Sequence, residues 1–542
     1  MFNCIKTSTT HRKMLALLTA LTTALGPSVS PAFAASQPTS KNMAIQHLVV
    51  IFNENISFDH YFGTYPVALN PKGEPQFHAL PGTPAVNGFN NALLNFNPNL
   101  NPANTTGATN PFRLDRSQAF TADQDHDYTP EQIAFDKGAM DLFPYSVGTA
   151  GPPPSGRGIV DTPGLTMGYF DGNTVTGLWN YAQDFAMSDN SYGTNFGPST
   201  VGVINLVSGQ TNGAVKTLNG TGGEVNGGDG SLTVIGDPDP LNDVCSSSTS
   251  NQVQMGSRNI GNLLNEAGVT WGAFMGGFNL NIKNLNGTTG CNRSTTSPIT
   301  GVEENDYIPH HAFFQWASTA NPKHTRPTSL HEIGHNGAAN HLYDVDDFFN
   351  AVRNGFYPAV NFLKAPGYQD AHAGYSDPID EQHFLVKVIN FLQAQPDWDS
   401  TAVVILYDDS DGWYDHQMGP IVNQSVGPAD ALTGTDACGT AANSLPGIDP
   451  KNAHALGRCG YGPRQPLLVI SPWAKQNFVD HTVTDQTSVI RFIEDNWLGG
   501  KRIGQGSFDG IASSISQMFD FTRERADRGL LTLDSATGQP NQ

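Results

Sequence analysis

Residues 45–55 read Ile-Gln-His-Leu-Val-Val-Ile-Phe-Asn-Glu-Asn, and residues 401–411 read Thr-Ala-Val-Val-Ile-Leu-Tyr-Asp-Asp-Ser-Asp. Each stretch is an apolar run that ends abruptly in acidic and amide side chains. Such runs are typical of parallel strands buried on both faces, and ligands of open α/β sheets bind just beyond the carboxyl ends of the strands. We therefore expect one crevice to contain the four side chains that follow the two strands: Glu54, Asn55, Asp408 and Asp409.

Carboxylates gathered in such a crevice repel one another strongly, because the surrounding protein has a low dielectric constant. A bound divalent cation relieves this repulsion, so the sequence predicts one metal ion at this point. Oxygen ligands suit Ca²⁺, Mg²⁺ or Mn²⁺, and related chemistry also uses Zn²⁺. The pattern leaves the identity of the metal open.

Helix-like and strand-like segments alternate along the chain, with no linker of low complexity between them. The predicted helices lie near 255–267, 343–353, 379–395 and 485–497, and the predicted strands at 45–52, 269–274, 401–407 and 466–471. Each later strand follows a helix, which favours crossover connections and a mostly parallel sheet. We expect a single α/β domain over residues 35–542, with loop insertions at about 64–118 and 211–300.

The first 34 residues have the pattern of a secretory signal peptide. A basic start precedes an apolar segment from Met14 to Leu25, and small residues surround the expected cleavage point after Ala34. The apolar segment is too short to span a bilayer, and no later stretch of about 18 apolar residues follows. We expect a secreted or periplasmic protein without stable membrane insertion.

The chain is acidic, with 49 Asp and Glu against 28 Lys and Arg and a formal net charge of −21. This balance argues against nucleic acid as a partner, because binding to phosphate backbones requires basic surfaces. An anionic substrate would need local positive potential from a metal, from imidazolium groups or from backbone N–H groups.

Four cysteines remain once Cys4 is removed with the signal peptide, and disulfides persist in exported proteins. Three pairings are possible in principle. We favour Cys245 with Cys291 and Cys438 with Cys459, because each pair brackets a segment rich in Gly, Asn and Ser. Closing loops of this size stabilises the fold by roughly 3 to 4 kcal/mol each.

A candidate nucleophile lies in the segment Gly197-Pro198-Ser199-Thr200. The Gly-Pro pair forms a turn, and Ser199 or Thr200 is predicted to be the N-cap of the following helix. A hydroxyl group in that position lies beside free N–H groups that stabilise an anion, and metal coordination would lower its pKa. The alternative is that Ser199 only caps the helix.

Four histidines in loops are candidate contacts of a phosphoryl group: His126, His310, His311 and His372. A lone histidine in a loop usually has a structural role. Near an anionic site, however, imidazolium donors stabilise phosphoryl oxygens, and one of them can protonate the leaving alkoxide. His372 or His311 is the expected general acid, which predicts an acidic pH optimum.

Residues 331–335 read His-Glu-Ile-Gly-His and match the HExxH pattern of zinc proteases, with His341 as a third ligand. That site needs a helix that places both histidines on one face. Gly334 and Gly337 weaken such a helix, and Ala338 stands where the long form of the motif has glycine. The motif is therefore an alternative interpretation that the fold must test.

Four motifs together resemble the bacterial phosphoesterase family that contains phospholipases C and acid phosphatases. They are Phe-Asn-Glu-Asn-Ile-Ser-Phe-Asp-His-Tyr-Phe-Gly at 52–63, Gly-Pro-Ser at 197–199, His-His at 310–311 and Tyr-Asp-Asp-Ser-Asp-Gly-Trp-Tyr-Asp-His at 407–416. The similarity covers roughly residues 45–498. Because the family is related to alkaline phosphatases, the resemblance implies a three-layer α/β/α sandwich with a mostly parallel central sheet.

The resemblance also implies roles for individual residues. The implied ligands of the metal are Glu54, Asn55, Asp408, Asp409 and Ser199, and Ser199 is also the implied nucleophile. The implied contacts of the phosphoryl group are His126, His310, His311 and His372. Phospholipase members usually have threonine as the nucleophile and asparagine three residues later. Here those positions are Ser199 and Gly202, with Asn205 as a candidate substitute, which favours the acid phosphatase branch.

We therefore expect an exported, metal-dependent phosphomonoesterase that acts on small phosphate monoesters through a phosphoserine intermediate. The first alternative is a phospholipase C that cleaves phosphodiesters of phospholipid headgroups. The second is a zinc metalloprotease of the HExxH type. The oligomeric state is not indicated by the sequence.

Overall fold

The computed structural model describes residues 44–150, 158–219, 222–241, 243–317, 324–432, 438, 448, 456–522 and 530–541. The predicted signal peptide lies outside these residues, so export stays a prediction. Among the described residues, no helix combines the length and the apolar character that crossing a bilayer requires.

The α-helices of the described residues are α1 (Phe58–Phe62), α2 (Asn91–Asn95), α3 (Tyr128–Phe135), α4 (Phe143–Ser146), α5 (Thr176–Asp184), α6 (Ser199–Ser208), α7 (Ile260–Ala267), α8 (Val345–Arg353), α9 (Pro378–Gln393) and α10 (Thr487–Trp497). The strands are β1 (His47–Asn53), β2 (Phe112–Arg113), β3 (Gly168–Tyr169), β4 (Ala186–Tyr192), β5 (Asn212–Leu218), β6 (Glu224–Asn226), β7 (Leu232–Val234), β8 (Asp239–Pro240), β9 (Gln252–Met255), β10 (Trp271–Met275), β11 (Ser294–Thr296), β12 (Glu303–Asn305), β13 (Leu342–Asp344), β14 (Val360–Lys364), β15 (Thr401–Tyr407), β16 (Arg464–Ile470), β17 (Phe478–Asp480) and β18 (Thr484–Asp485).

The main sheet has nine strands in the order β13-β10-β14-β1-β15-β16-β4-β17, and β18 also pairs with β4. Strands β13, β10, β14, β1 and β15 are mutually parallel. The exception is β16, which is antiparallel to both β15 and β4. The sheet is therefore mostly parallel, as predicted.

The central strands β1, β15 and β16 are buried almost completely along both faces. Helix α6 contacts α7 and α10, and α5 contacts α9. Burial on both faces explains why these strands are continuous apolar runs and do not alternate with polar residues. The chain is an α/β protein whose large sheet is covered on both faces.

Strands β1 and β15 pair in parallel from His47 opposite Thr401 to Asn53 opposite Tyr407. Their last residues are therefore at the same level of the sheet. The polar residues that follow each strand leave the sheet side by side, which is what positions the functional site.

Three predicted helices begin later than expected, and one of them is the helix predicted at 485–497, which begins at Thr487. The helix predicted at 255–267 begins at Ile260, because residues 252–255 form β9 and Asn259 caps α7 in a reciprocal capping box with Asn262. The helix predicted at 343–353 begins at Val345, because β13 extends to Asp344 and the Asp344 side chain caps α8.

Both predicted disulfides are present, Cys245–Cys291 and Cys438–Cys459. Within the interval 211–300, strands β5 to β9 form a separate five-stranded sheet. In the same interval, however, β10 belongs to the main sheet. The single-domain organisation stays a prediction.

Candidate active site

The four oxygen-bearing side chains predicted to converge do lie at one edge of the sheet, beyond β1 and β15. The Asn55 N–H group donates to Asp408 Oδ1 at 3.0 Å, and the Ile56 N–H group donates to the Asp409 carbonyl oxygen at 2.9 Å. Asn55 has a left-handed backbone (φ 57°), which asparagine tolerates better than most residues. Glu54, Asn55, Asp408 and Asp409 are each at most 2% exposed.

Ser199 lies within hydrogen-bond distance of this group. Its hydroxyl oxygen is 2.9 Å from Glu54 Oε2 and 3.1 Å from Asp409 Oδ2. The Asn55 side chain lies 3.4 Å from the same oxygen. One hydroxyl group from the middle of the chain thus meets carboxylates from both ends.

Ser199 is not the N-cap of α6, so this prediction was wrong. Pro198 occupies that position in an extended conformation, and Ser199 is the first residue of the helix. Thr200 is not the cap either, and its N–H group donates to Asp237 Oδ1 at 2.9 Å. The hydroxyl of Ser199 is therefore free to face the carboxylates, which argues against a purely capping role.

Burial disfavours the charged form of the site carboxylates. Burial raises the pKa of Asp408 to about 8, and the neighbouring charge of Glu54 adds to this effect. Burial also raises the pKa of Asp409 well above its ordinary value, with His126 opposing the shift. Carboxylate, amide and hydroxyl oxygens around one point fit a divalent metal ion, which would stabilise the ionised carboxylates.

Lys364 is a member of the site that was not predicted from the sequence. It ends β14, the parallel neighbour of β1, and its side chain is 4% exposed. Its Nζ contacts Glu54 Oε1 and lies 3.4 Å from Asp408 Oδ2. Burial lowers the pKa of Lys364, but the charges of Glu54, Asp408 and Asp370 outweigh this and raise it.

Asp370 is a second residue that was missed. Its carbonyl oxygen accepts the Glu54 N–H group at 2.8 Å, and its carboxylate accepts the Tyr375 hydroxyl at 3.2 Å. Lys364 is the last residue of β14, a strand that was not among those predicted from the sequence. No local pattern marks Asp370.

Three of the four predicted histidines surround the carboxylates. His311 Nδ1 is 3.1 Å from Glu54 Oε1, and His126 Nε2 is 3.3 Å from Asn55 Nδ2. In His126 and His372, Nδ1 lies 2.7 and 2.6 Å from a backbone carbonyl oxygen. Nδ1 therefore donates to that carbonyl oxygen in each ring, and Nε2 faces the Asn55 side chain. His310 lies farther out, with a side chain 30% exposed.

These histidines differ in their electrostatic surroundings. Burial lowers the pKa of His311 well below its ordinary value, and the neighbouring His310 and Lys364 contribute. Burial also lowers the pKa of His372. For His126, burial opposes protonation, but the charges of Asp409, Asp123 and Asp411 raise the pKa well above the ordinary value.

A cavity of about 540 Å³ opens beside the histidines. Its lining includes three of the predicted histidines together with aromatic and acidic side chains: His310, His311, His372, Tyr307, Tyr375 and Glu304. A volume of this size accommodates the organic part of an ester.

The asparagine that phospholipase members have three residues after the nucleophile has no equivalent at this site within the part of the chain that the structure describes. Asn205, the candidate substitute for the missing asparagine, donates to Asn195 Oδ1 at 3.0 Å and not to the site. Gly202 has no room for a side chain, because a β-carbon there would collide with the backbone of Asp408.

The HExxH segment does not form the helix that a zinc site requires. Only residues Leu330–Glu332 form a short 3-10 turn, and the Glu332 carboxylate accepts the Ala339 N–H group at 2.7 Å. His341 is held between Trp271 and Asn336 through both ring nitrogens. The segment therefore lacks the helix that the protease interpretation requires.

Residues 45–498 match the profile of the Phosphoesterase family, and the chain belongs to this family. The name of the family indicates that its members act on phosphoester bonds. The family is generally metal-dependent, and the described residues include clusters that can hold a metal ion.

The chain is similar to a non-hemolytic phospholipase C of Burkholderia pseudomallei, with 26% identity over 85% of this chain and 56% of the relative. It therefore spans about half the length of that protein. Phospholipase C B of Mycobacterium tuberculosis is 23% identical over 89% of this chain and 80% of the relative.

Among solved structures, a Vibrio parahaemolyticus protein described as a member of the alkaline phosphatase superfamily aligns with 76% of this chain and 71% of its own. The identity is 13% and the TM-score is 0.24. The fold is defined by the sheet topology described above.

Proposed function

We propose that this protein is a metal-dependent phospholipase C that uses Ser199 as its nucleophile. The observation that supports this role is the position of the Ser199 hydroxyl, 2.9 Å from Glu54 and 3.1 Å from Asp409, at the first residue of α6. In this proposal the metal ligands are those predicted from the sequence: Glu54, Asn55, Ser199, Asp408 and Asp409.

A bound divalent ion would lower the pKa of a coordinated hydroxyl and neutralise charge on the phosphoryl oxygens. The Ser199 oxygen forms a bond to phosphorus, and a neighbouring carboxylate accepts the hydroxyl proton. The bond from phosphorus to the leaving alcohol breaks, and a histidine protonates the departing oxygen. Water then attacks phosphorus and releases Ser199.

In this scheme the leaving alcohol occupies the cavity of about 540 Å³. His310, His311 and His372 line that cavity, whereas Nε2 of His126 faces Asn55. We therefore assign the general acid to one of these three histidines and charge stabilisation to His126. Because burial lowers the pKa of His311 and His372, either of these two would need an acidic pH to carry the proton.

The substrate class is supported by the relatives described above, each of which is a phospholipase C. The cavity of about 540 Å³, with Tyr307 and Tyr375 in its lining, suits a substituent larger than a proton on the phosphate. The sequence motifs favoured a phosphomonoesterase over a phospholipase C, and the present proposal reverses that order.

Phosphomonoesterase activity is the second candidate, and one specific observation favours it. The position that is asparagine in phospholipase members is Gly202 here, packed against the backbone of Asp408. Asn205 does not replace that contact, because it binds Asn195. The absence of this asparagine side chain would affect the binding of a small phosphate monoester less than the binding of a phospholipid.

The two candidates are separated by comparing hydrolysis of p-nitrophenyl phosphate with hydrolysis of phosphatidylcholine, with and without EDTA. We expect phosphatidylcholine to be the better substrate, and we expect EDTA to abolish both activities. Ser199→Ala should reduce the rate by about 10³-fold or more. The control is Ser208→Ala at the far end of α6, whose hydroxyl bonds only within its own turn.

Rapid acid quenching and mass spectrometry of the Ser199 peptide then identify the intermediate. A monoester leaves an adduct of about 80 Da, the mass of a phosphoryl group. A diester cleaved between phosphate and diacylglycerol leaves an adduct heavier by the headgroup alcohol. Full activity of Ser199→Ala would refute the proposed nucleophile.

A further inference from the structure

A second group of ligand-type atoms lies next to the proposed metal site. Atoms of Glu54, His311 and Asp370 all lie within 4.8 Å of one another, and the three residues are buried. His311 Nδ1 is 3.1 Å from Glu54 Oε1 and 3.7 Å from Asp370 Oδ2. Two carboxylates and one imidazole are a ligand set that suits Mn²⁺ or Zn²⁺.

Glu54 faces both groups with different oxygens. Its Oε2 lies near Ser199, on the side of the proposed metal ion, and its Oε1 lies near His311. A carboxylate shared in this way is the arrangement of two-metal phosphatases, whose ions are about 3.5–4 Å apart. The geometry thus contains the ligands for a second cation.

The ammonium group of Lys364 lies against this second group. Its Nζ contacts Glu54 Oε1, the oxygen that His311 also approaches, and the charge of Asp370 acts on it. The side chain extends from a central strand and passes the ring of Phe52, with Nζ 5.4 Å from the ring centroid. Because it is 4% exposed, the ammonium cannot move into solvent without opening the core.

We propose that Lys364 takes the place of a second divalent cation and limits this centre to one metal ion. This inference rests on the proposed function, which supplies the first ion. Lysine is a compact point charge that binds anionic oxygens without fixed coordination geometry. A permanent ammonium therefore replaces part of the charge of a second ion, and chelators cannot remove it.

The space around the ammonium makes the proposal testable. A small cavity of about 10 Å³ already borders His311, Lys364 and Asp370. This is close to the space that one water molecule needs. Truncation of Lys364 to alanine should enlarge it enough for a hydrated cation, while the three ligands remain.

The experiment measures manganese per chain in the full protein, stripped with a chelator and reloaded with Mn²⁺. We expect one ion in the wild type and two in Lys364→Ala. Electron paramagnetic resonance should show an isolated ion in the wild type and a spin-coupled pair in the variant. Lys364→Ala combined with Asp370→Asn should return to one ion, and Lys387→Ala on the exposed face of α9 should remain at one.

A folded Lys364→Ala variant that binds a single ion would overturn the proposal. If that variant does not fold, the manganese content of Asp370→Asn alone tests the proposal. We expect one ion per chain in Asp370→Asn, because Lys364 and not a cation occupies the group that contains Asp370. Loss of manganese in Asp370→Asn would mean that the resident ion sits in that group instead. A wild type that binds no manganese, zinc or calcium would contradict the proposed function as well, so the two failures are distinguishable.

Discussion

The carboxyl group of Glu131 joins two loops that carry the candidate site. Its Oε2 accepts the Gly197 N–H group at 3.0 Å, two residues before Ser199. Its Oε1 accepts the Ser410 hydroxyl at 2.6 Å, one residue after Asp409. Gly197 has a φ of 116°, a conformation that favours glycine, so the turn before the nucleophile depends on this anchor.

We predict that Glu131→Leu lowers kcat by roughly 10- to 100-fold, because small displacements of reacting groups have large effects on rate. The unpaired Gly197 N–H group should also cost about 1–3 kcal/mol of unfolding free energy. Burial raises the pKa of Glu131 to about 8, so the group is largely protonated at neutral pH and glutamine is a close replacement.

Steady-state kinetics and chemical denaturation of both variants test this prediction. Glu131→Gln should keep most of the wild-type kcat, since its amide oxygen can accept from Gly197. Equal losses in the leucine and glutamine variants would show that the two hydrogen bonds do not position the nucleophile.

Among the secondary-structure elements, α10 contributes Glu494 to a buried acidic pair whose other member, Asp509, lies in the turn Phe508–Gly510. The Ile503 N–H group lies 2.9 Å from both Glu494 Oε1 and Asp509 Oδ2. Burial raises the pKa of Glu494 to about 9 from its ordinary value of 4.5, and the adjacent Asp509 adds to the shift. Arg502, 3.0 Å from Glu494, opposes it.

This shift predicts that stability falls as pH rises. The folded chain keeps the Glu494 proton up to about pH 9, whereas the unfolded chain releases it near pH 4.5. The stabilisation is fully present below pH 4.5 and is lost as the pH rises toward 9. One proton gives a slope of at most about 1.4 kcal/mol per pH unit. Screening of the charge by Arg502 and solvent shortens the pH range over which this slope applies.

Urea denaturation of the wild type and Glu494→Gln across this pH range measures the effect. The variant should lose less stability between pH 5 and pH 9, since its amide remains neutral. Asp495→Asn, which changes the exposed partner of Arg502, is the control and should keep the wild-type slope. Parallel pH profiles for wild type and Glu494→Gln would contradict the prediction.

At the scale of the whole molecule, the Cys438–Cys459 disulfide contacts the segment that precedes Ser199, whereas Cys245–Cys291 closes a loop elsewhere in the chain. The Cys459 carbonyl oxygen accepts the Phe196 N–H group at 3.1 Å, and the Cys459 N–H group donates to the Tyr128 hydroxyl at 3.0 Å. Cys438–Cys459 therefore supports the segment that leads to Ser199. Cys245–Cys291 closes a loop that begins between β8 and β9 and includes β9, α7 and β10.

We predict that removing either disulfide by paired alanine substitution lowers the unfolding free energy by roughly 3 kcal/mol. Only the loss of Cys438–Cys459 should also lower kcat, because it loosens the approach to the nucleophile. The other pair is the matched control, and its variant should keep kcat at temperatures where it remains folded. Equal kcat in both variants would contradict this distinction.

The pattern of residues along the chain was sufficient to predict both disulfides and the edge of the sheet where the candidate site lies. Metal binding by the five implied ligands stays a prediction. Burial makes apolar runs continuous, and parallel register brings the residues after β1 and β15 to one level. These are properties of one or two local segments. They can be read without knowing how the rest of the chain packs.

The tertiary structure alone brought Lys364, Asp370 and Glu131 to the site and separated the HExxH histidines from any metal geometry. Strand β14 is only five residues long and ends in a lysine, so its pattern does not indicate a buried strand. Contacts between residues 54 and 364, or 131 and 410, depend on the packing of segments far apart in sequence. The sequence near Glu54 therefore does not indicate that the ammonium group of Lys364 lies beside its buried carboxylate.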